Sequence, residues 1–398
     1  MSRSRPHLDG PTRLAYAQLG FLGFIIIGLG PTQALLRDEQ GTSLAVSGLH
    51  ATAYASAGIL AALMTPRLVR IVGRSRGITI ATAILAMGAV LYTLPLGPWV
   101  SVPSVVVFAC AVGILLICLS AFLFDHQGVA GPASLTQANA LAALSGILAP
   151  IVIGFGALTL FTWRAGIWLV LIAMVGLEIG RLRYVAVFNV TMIHAGDSSR
   201  LRDLPRALWW SVVLLALFIS VEMTTVLWSA DLLRVRGSSS PALAAALVSA
   251  VTVGTLLGRV IGSRLSQRYS IDYLLRVGIV VALIGLGLAW TYPNVITITA
   301  GLFVAGMGMS LNWPLGVARA TAVSGNRSTQ ATSLVSLFGS IALAFVPFAL
   351  GVTADAVGIH VAFVIVPAVL VIAAAILVTH PYKAQIQVGS HIRARQAS

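Results

Sequence analysis

One acidic residue stands inside an apolar stretch that is long enough to cross a bilayer. Glu222 lies in residues 218–234, FISVEMTTVLWSADLLR, and about 24 Å of helix separates it from Arg206. A carboxylate in hydrocarbon costs several kcal/mol, and such residues usually mark a substrate or ion pathway. The position predicts a group that takes up and releases a proton as its surroundings open to alternate sides of the membrane.

Three neighbours extend this position into a polar stripe. Thr225 and Ser229, at i+3 and i+7, share the helix face of Glu222, and Trp228 follows one turn beyond Thr225. A polar stripe on an otherwise apolar helix should face the protein interior. We expect it to border a cavity suited to a cationic or hydroxylated substrate. The alternative is that a neighbouring hydrogen bond neutralises Glu222, which then only holds helices together.

Other polar residues also fall within apolar stretches. Six are candidates for the substrate pathway: Gln33, His50, Tyr54, Asn139, Asn312 and Trp313. Each can instead make a hydrogen bond between helices. Arg259 lies about one turn from the end of its stretch, where its side chain can reach the membrane surface. Asp125 and His126 end another stretch, where they could gate, but we interpret them as a solvated helix end.

The composition excludes an ordinary soluble protein. Of 398 residues, 58% are hydrophobic and 9% are charged, whereas soluble domains carry roughly 25% charged residues. A bilayer helix needs about 20 apolar residues. Twelve such spans are predicted, at 14–36, 43–65, 77–95, 103–124, 135–160, 163–182, 207–229, 241–262, 273–291, 295–317, 329–353 and 358–379. They indicate an all-α integral membrane protein.

The basic residues predict the orientation of the chain. With the N-terminus in the cytoplasm, few of the 25 Lys and Arg residues fall on the outer side, namely Arg37, Arg164, Arg234 and Arg236. Cytoplasmic loops carry the excess of basic residues. We therefore expect a multi-pass protein of the inner (cytoplasmic) membrane with both termini cytoplasmic. The net charge of +14 then reflects anchors that face anionic lipid, not nucleic acid.

An internal repeat divides the spans six and six. A shift of 197 residues superimposes Arg37 on Arg234, Ser43 on Ser240, Arg67 on Arg264, and Pro150-x-x-x-Gly154 on Pro347-x-x-x-Gly351. Parallel repeats are typical of transporters, and the four Pro and Gly positions are predicted sites of close helix packing. We expect two parallel six-helix bundles, 13–182 and 207–380. A cytoplasmic linker, 183–206, joins them, and 1–12 and 381–398 form cytoplasmic tails.

The duplication and a basic loop after span 2 resemble the major facilitator superfamily. Its loop signature is Gly-x-x-x-Asp-Arg/Lys-x-Gly-Arg-Arg/Lys, and PRLVRIVGRSR (66–76) fits at Gly73, Arg74 and Arg76. The second copy, GSRLSQRYS, supplies Gly262, Arg264 and Arg268. The signature Asp is replaced in both copies, so the acidic member of the cytoplasmic charge network is expected to be absent.

The resemblance implies secondary active transport of a small organic solute by alternating access, with proton coupling expected and uptake or efflux left open. The alternative is a polytopic membrane enzyme or scaffold without transport activity. The sequence has no P-loop, HExxH, Cys/His metal spacing or Gly-rich nucleotide loop, so we expect no enzyme activity, no cofactor and no metal. The expected partners are a small-molecule substrate, protons and membrane lipid, with a monomer as the working unit.

Overall fold

The structure, a computed structural model, describes residues 6–160, 162–189, 205–266, 268–324 and 328–381. Most of the predicted linker and of the C-terminal tail, 190–204 and 382–398, lies outside these ranges, as do residues 1–5.

Twelve helices of the described chain are long and apolar enough to cross a bilayer. They are α1 Gly10–Gln40, α2 Leu44–Val72, α3 Arg74–Thr93, α4 Pro98–Gln127, α5 Ala133–Gly156, α6 Arg164–Phe188, α7 Arg206–Arg236, α8 Pro241–Leu265, α9 Ile271–Thr291, α10 Val295–Val323, α11 Leu337–Val357 and α12 Ile359–Thr379. Helical structure extends α5 back to Gly131 and α11 back to Ser328. The predicted all-α fold with twelve spans is confirmed.

Helix α10 is interrupted in its middle. Its two parts are Val295–Met309 and Asn312–Val323. Pro314 lacks the backbone N–H that would otherwise bond the carbonyl of Ser310 four residues earlier. The interruption therefore frees a carbonyl within the membrane, and such a carbonyl needs a donor from elsewhere in the protein.

Equivalent residues begin the second helix of each half. The side-chain oxygen of Ser43 accepts a hydrogen bond from the N–H of Val46 at 3.3 Å. That of Ser240 accepts one from the N–H of Leu243, also at 3.3 Å. Both serines are N-caps, which satisfy amides that have no partner within the helix. The two serines related by the internal repeat thus make the same N-cap hydrogen bond.

Two separate hydrophobic cores hold the helices together. One consists of buried residues of α1–α6 with Ala245 of α8. The other consists of buried residues of α7–α12 with Ala34 of α1. Since each core is drawn almost wholly from six consecutive helices, the apolar packing divides the described chain into the two halves of the repeat.

The two halves are joined by ion pairs at one face, which we call the outer face because it is opposite the side on which α1 begins. Arg37 of α1 pairs with Asp231 of α7. Arg234 of α7 pairs with Asp38 of α1 at 2.6 Å. At the same face, the carboxylate of Asp355 accepts hydrogen bonds from the first two amides of α2, at 2.7 and 2.8 Å.

Two equivalent glycines let the halves approach closely near the outer face. A Cβ on Gly154 of α5 would lie 2.6 Å from the carbonyl oxygen of Ala242 in α8. A Cβ on Gly351 of α11 would lie 2.5 Å from the carbonyl oxygen of Leu44 in α2. Each glycine follows a proline of its helix, Pro150 or Pro347, by four residues. Backbone contacts of this kind need a residue without a side chain.

Buried ion pairs tie the inner ends of the helices within each half. Arg74, at the start of α3, pairs with Asp125 near the end of α4. Asp272, at the start of α9, pairs with Arg319 near the end of α10 at 3.0 Å. Asp125 is therefore not the solvated helix end that we expected, because Arg74 holds it in a side-chain contact that excludes water. The two copies of the loop motif lack the acidic residue of the signature. In the structure, Asp125 of α4 and Asp272 of α9 provide the acidic partners instead.

A second buried pair stabilises the inner end of α6. Arg181 contacts Glu178 at 2.7 Å, as its spacing of three residues allows. The guanidinium also donates to the hydroxyls of Ser75 at 2.8 Å and Thr79 at 2.9 Å, both on α3. Gln18 of α1 donates to the same carboxylate at 3.2 Å. This pair joins three helices of the first half, beyond the local contact that its spacing predicts.

The loop-motif residues differ in their environments. Gly73 joins α2 to α3 with a φ of 82°, a left-handed conformation that favours glycine. Gly262 is buried, whereas Arg76, Arg264 and Arg268 are exposed. Of the six arginines in the two copies of the motif, Arg74 alone has a buried side chain.

Candidate functional site

A cavity of about 80 Å³ lies where the two halves meet, near the middle of α1 and α7. The first half contributes a residue each from α1 and α5, and the second half contributes residues of α7 and α8. The lining residues are Ile27, Ala143, Glu222, Val226, Val251, Thr252, Thr255, Leu256 and Arg259. The cavity is largely apolar with a few polar groups, as ligand sites usually are.

Two opposite charges face this cavity. Glu222 of α7 and Arg259 of α8 are its charged lining residues. They attract each other but form no direct ion pair within the described part of the chain. No described donor makes a hydrogen bond to the Glu222 carboxylate. The alternative raised from the sequence, a carboxylate neutralised by a neighbouring hydrogen bond, therefore has no counterpart among the described contacts.

The break in α10 supports the Arg259 side chain. Its Nε donates to the carbonyl of Ser310 at 3.3 Å, the carbonyl that Pro314 leaves without a helical donor. Among the described residues, no acceptor bonds the two terminal nitrogens of the guanidinium. Arg259 thus turns into the cavity, whereas the sequence suggested that it extends to the membrane surface.

Two threonines add hydroxyl oxygens to the cavity. Thr252 donates to the carbonyl of Ser249 at 2.9 Å, and Thr255 donates to that of Val251 at 3.0 Å. Because each hydroxyl donates its hydrogen to a backbone carbonyl, its oxygen can still accept a hydrogen bond. With Arg259, they stand at i, i+3 and i+7 of α8, the spacing of Glu222, Thr225 and Ser229 on α7. Sequence reasoning missed this second stripe, although its spacing was visible.

The other members of the α7 stripe lie away from the cavity. Thr225 and Ser229 are buried and donate to carbonyls of their own helix, Val221 and Thr225 respectively. Trp228 is buried, and its indole N–H donates to the carbonyl of Pro347 in α11 at 3.2 Å. Of the four predicted residues on α7, Glu222 is the one that the structure places in the cavity lining.

The candidates on α1 and α2 lie toward the outer face of the first half. Gln33 is buried and donates to the carbonyl of Ser47. His50 is buried, with ring nitrogens 3.0 Å from the Ser101 hydroxyl and 3.1 Å from the carbonyl of Val46. Tyr54 packs partly buried against the core of α1–α6. Gln33 and His50 therefore make hydrogen bonds between helices, which the sequence allowed as the alternative to a role in the substrate pathway.

The remaining candidates do not line the cavity. Asn139 of α5 is exposed. Asn312 begins the second part of α10 and is buried, with a side-chain oxygen that has no described hydrogen-bond partner. Trp313 follows it and is 46% exposed. The described residues contain no group of three or more His, Cys, Asp or Glu that could hold a metal ion.

Comparisons with known proteins agree on the family and the fold. The family model of the Major Facilitator Superfamily matches residues 208–394. No curated protein matches the sequence. Among solved structures, a bacterial homologue of the human lysosomal transporter Spinster, in an inward-facing and unoccupied conformation, aligns with a TM-score of 0.67 at 18% identity, over 94% of this chain and 97% of that chain.

Two further solved structures have the same fold. The nucleoside transporter NupG, as a mutant, aligns with a TM-score of 0.75 at 12% identity, over 93% of this chain and 100% of that chain. A mutant of the peptide transporter POT aligns with a TM-score of 0.77 at 14% identity, over 95% of this chain and 96% of that chain. The family match over residues 208–394 and the shared fold of the whole chain confirm the predicted resemblance to the major facilitator superfamily.

Proposed function

We propose that this protein is a proton-coupled secondary transporter that moves a small organic solute through the cavity between its halves, with Glu222 as the proton-carrying group. The observation that carries the proposal is a carboxylate in the membrane, facing a cavity lined by both halves and bonded to no described donor. A group in that position can bind a proton from whichever side the cavity opens to.

The contacts at the outer face support alternating access. The Arg37–Asp231 and Arg234–Asp38 pairs hold the outer ends of α1 and α7 together, and Asp355 holds α11 to α2. These contacts must separate before the cavity can open outward. Polar residues at the inner end of α5, including Gln137 and Asn139, are exposed, which favours access from the inner side in this state.

The related structures support a small solute. They are described as transporters of nucleosides and of peptides, both of which are small organic molecules with polar groups. No described feature favours the alternative of a membrane enzyme or scaffold. We further propose a monomer in the inner membrane, surrounded by lipid, with the side on which α1 begins facing the cytoplasm.

The orientation has its own test. Reporter fusions at Ser398 and within 183–206 should behave as cytoplasmic, and a fusion near Arg236 should not. An external signal from the 183–206 fusion would reverse the assignment of the inner and outer faces.

The function is tested with Glu222→Gln, which keeps the shape of the side chain and removes its titration. Proteoliposomes with an imposed pH gradient are screened with labelled carboxylates, amino acids, nucleosides and organic cations. We expect the wild type to accumulate at least one class, and Glu222→Gln to lose accumulation while retaining exchange of the same solute. Glu39→Gln is the matched control, because Glu39 pairs with Arg164 at 2.6 Å, away from the cavity. If Glu222→Gln accumulates solute with the wild-type pH dependence, Glu222 is not the coupling group.

A further inference from the structure

Arg259 brings a positive charge to the cavity. The proposed function gives this charge no role. Arg259 lines the same cavity as Glu222, and no described acceptor bonds its terminal nitrogens. A guanidinium in a water-poor site is costly unless an anion or a set of acceptors meets it. Guanidinium groups bind carboxylates through two parallel hydrogen bonds, so the free nitrogens are suited to such a ligand.

The other described charges on helices packed against α7 lie toward its two ends, including Asp355 of α11, which accepts from the first amides of α2. Within the cavity, Arg259 is the charged partner. At the outer end, Arg37 faces Asp231 and Asp38 faces Arg234. At the inner end, Arg319 faces Asp272. These outer and inner charges are already paired within the described chain, so the charge of the cavity is set by Glu222, Arg259 and whatever binds there.

Charge balance separates the possible substrates. The empty cavity is neutral when Glu222 is ionised. It is neutral again when Glu222 is protonated and Arg259 holds a monoanion. A cation exchanged for a proton leaves one net positive charge in both states, which is unfavourable in hydrocarbon. A zwitterion adds no net charge, so the occupied site is already neutral when Glu222 stays ionised. Binding a zwitterion therefore does not require Glu222 to take up a proton.

The size and lining of the cavity limit the ligand further. A volume of about 80 Å³ holds several water molecules and so admits only a small polar group with a short apolar part. Ile27, Val226, Val251 and Leu256 offer aliphatic contacts. The acceptor oxygens of Thr252 and Thr255 suit a hydroxyl or the proton of a protonated Glu222.

We infer that the substrate is a small organic monocarboxylate, held by Arg259 and carried together with one proton on Glu222. The assignment presupposes the proton coupling proposed for Glu222 and adds the substrate class. Proton and anion travel in the same direction, so an acidic exterior drives uptake. The proton leaves Glu222 when the anion leaves Arg259, and the two side chains then restore the neutral empty site.

The test uses three labelled probes of similar size in proteoliposomes with an acidic exterior. These probes are lactate, alanine and choline, an anion, a zwitterion and a cation. Wild type should accumulate lactate and neither of the others. A potassium diffusion potential set with valinomycin should not change the rate, because the loaded and empty sites are both neutral.

Variants separate the two charged residues. Arg259→Gln should lower lactate uptake by at least about tenfold, since a charge-assisted bidentate contact is lost, and Arg259→Lys should restore part of it. Glu222→Gln should abolish pH-driven accumulation and keep lactate exchange across equal pH. Monodisperse elution and an unchanged unfolding temperature establish that each variant is folded.

The possible failures are distinguishable. Accumulation of alanine or choline, lost in Glu222→Gln, would overturn the monocarboxylate assignment and leave the coupling role of Glu222 intact. Lactate uptake that Arg259→Gln does not reduce would overturn the role of Arg259. Folded wild type that moves none of the proposed solute classes under a pH gradient would overturn the proposed function and the substrate class with it.

Discussion

Arg37 and Arg234 occupy the same position in the two halves, and each pairs with a carboxylate on the opposite half. The two carboxylates are not equivalent, since Asp38 follows its neighbouring arginine by one residue and Asp231 precedes its own by three. The two offsets differ by four residues, which is about one turn of an α-helix. The reciprocal pairs therefore use repeat-related cations with anions that differ by one helical turn.

Breaking one of these pairs should favour the outward-open state. Arg37→Asp places two acids at a largely buried position, and we expect it to shift the equilibrium between closed and open outer faces by about tenfold or more. The readout is modification of a cysteine introduced at Thr52, which donates to α11 near the outer face, by an impermeant thiol reagent. The charge swap Arg37→Asp with Asp231→Arg should return labelling toward wild type. Equal labelling of the Arg37→Asp variant and the charge-swap variant would show that the Arg37–Asp231 pair does not hold the outer face closed.

Bulky residues at the two close glycines should prevent closure of the outer face. We expect Gly154→Leu and Gly351→Leu each to impair folding or transport, because the added side chain collides with backbone of the opposite half. Gly287→Leu on α9 is the control, since a Cβ there meets nothing within 4 Å. Expression, monodispersity and flux are measured for all three. Normal flux in both test variants would refute the requirement for close approach.

A cap at the start of α1 should lose its effect in acid. The Asp9 carboxylate accepts from the N–H of Thr12 at 3.0 Å and contacts His126 of α4 at 2.7 Å. Partial burial alone would raise the pKa of Asp9, but the hydrogen bonds from Thr12 and His126 outweigh it and hold that pKa below its ordinary value. Its stabilisation is therefore present above the unfolded-state pKa of about 3.9 and lost as pH falls through the lowered value.

The Asp9→Ala variant measures that contribution. We expect it to destabilise the protein by about 1 kcal/mol near neutral pH. The difference in unfolding temperature from wild type should shrink below about pH 4. A difference that stays constant from neutral pH to pH 3 would show that the carboxylate charge is not involved.

The inner pair of the second half should be costly to break. Asp272→Asn leaves Arg319, which is 2% exposed, without its ionic partner, and loss of one member of a buried pair costs about 3–5 kcal/mol. Thermal unfolding in detergent should show a clear fall for Asp272→Asn and a small one for Glu39→Gln, whose side chain is 37% exposed. Similar falls would argue against special importance of the buried pair.

The charge swap Asp272→Arg with Arg319→Asp adds a sharper comparison. It would recreate in the second half the polarity that Arg74 and Asp125 have in the first half. We expect the swap to recover part of the lost stability. It should not recover all of it, because Arg319 also donates to the Ser211 hydroxyl at 2.8 Å.

Hydropathy predicted the twelve spans because each crossing needs about 20 apolar residues. The ends were less predictable. Helix α1 runs Gly10–Gln40, beyond the predicted 14–36, because helical hydrogen bonding continues where the chain leaves hydrocarbon. Caps at such ends depend on single polar side chains, such as Asp9, that a hydropathy window averages away.

The candidate site was only half visible in the sequence. Glu222 was recognised because an isolated carboxylate in an apolar span has no partner nearby in the sequence and no membrane surface within reach. Arg259 did not, because an arginine near a span end can reach water. Its inward orientation depends on the carbonyl of Ser310, which Pro314 frees on a different helix. Contacts between residues so far apart in sequence follow from the assembled fold, which the spacing within one span does not specify.

The hydrogen bonds from the start of α2 to Asp355 have a consequence for leakage across the membrane. A helix in one half is completed by an acid in the other, so separating the halves also exposes backbone amides that must find water or Ser43. Opening outward thus carries a local penalty even before solute is considered. We expect an unloaded carrier to rest with its outer face shut, so that protons do not run down their gradient through an idle protein.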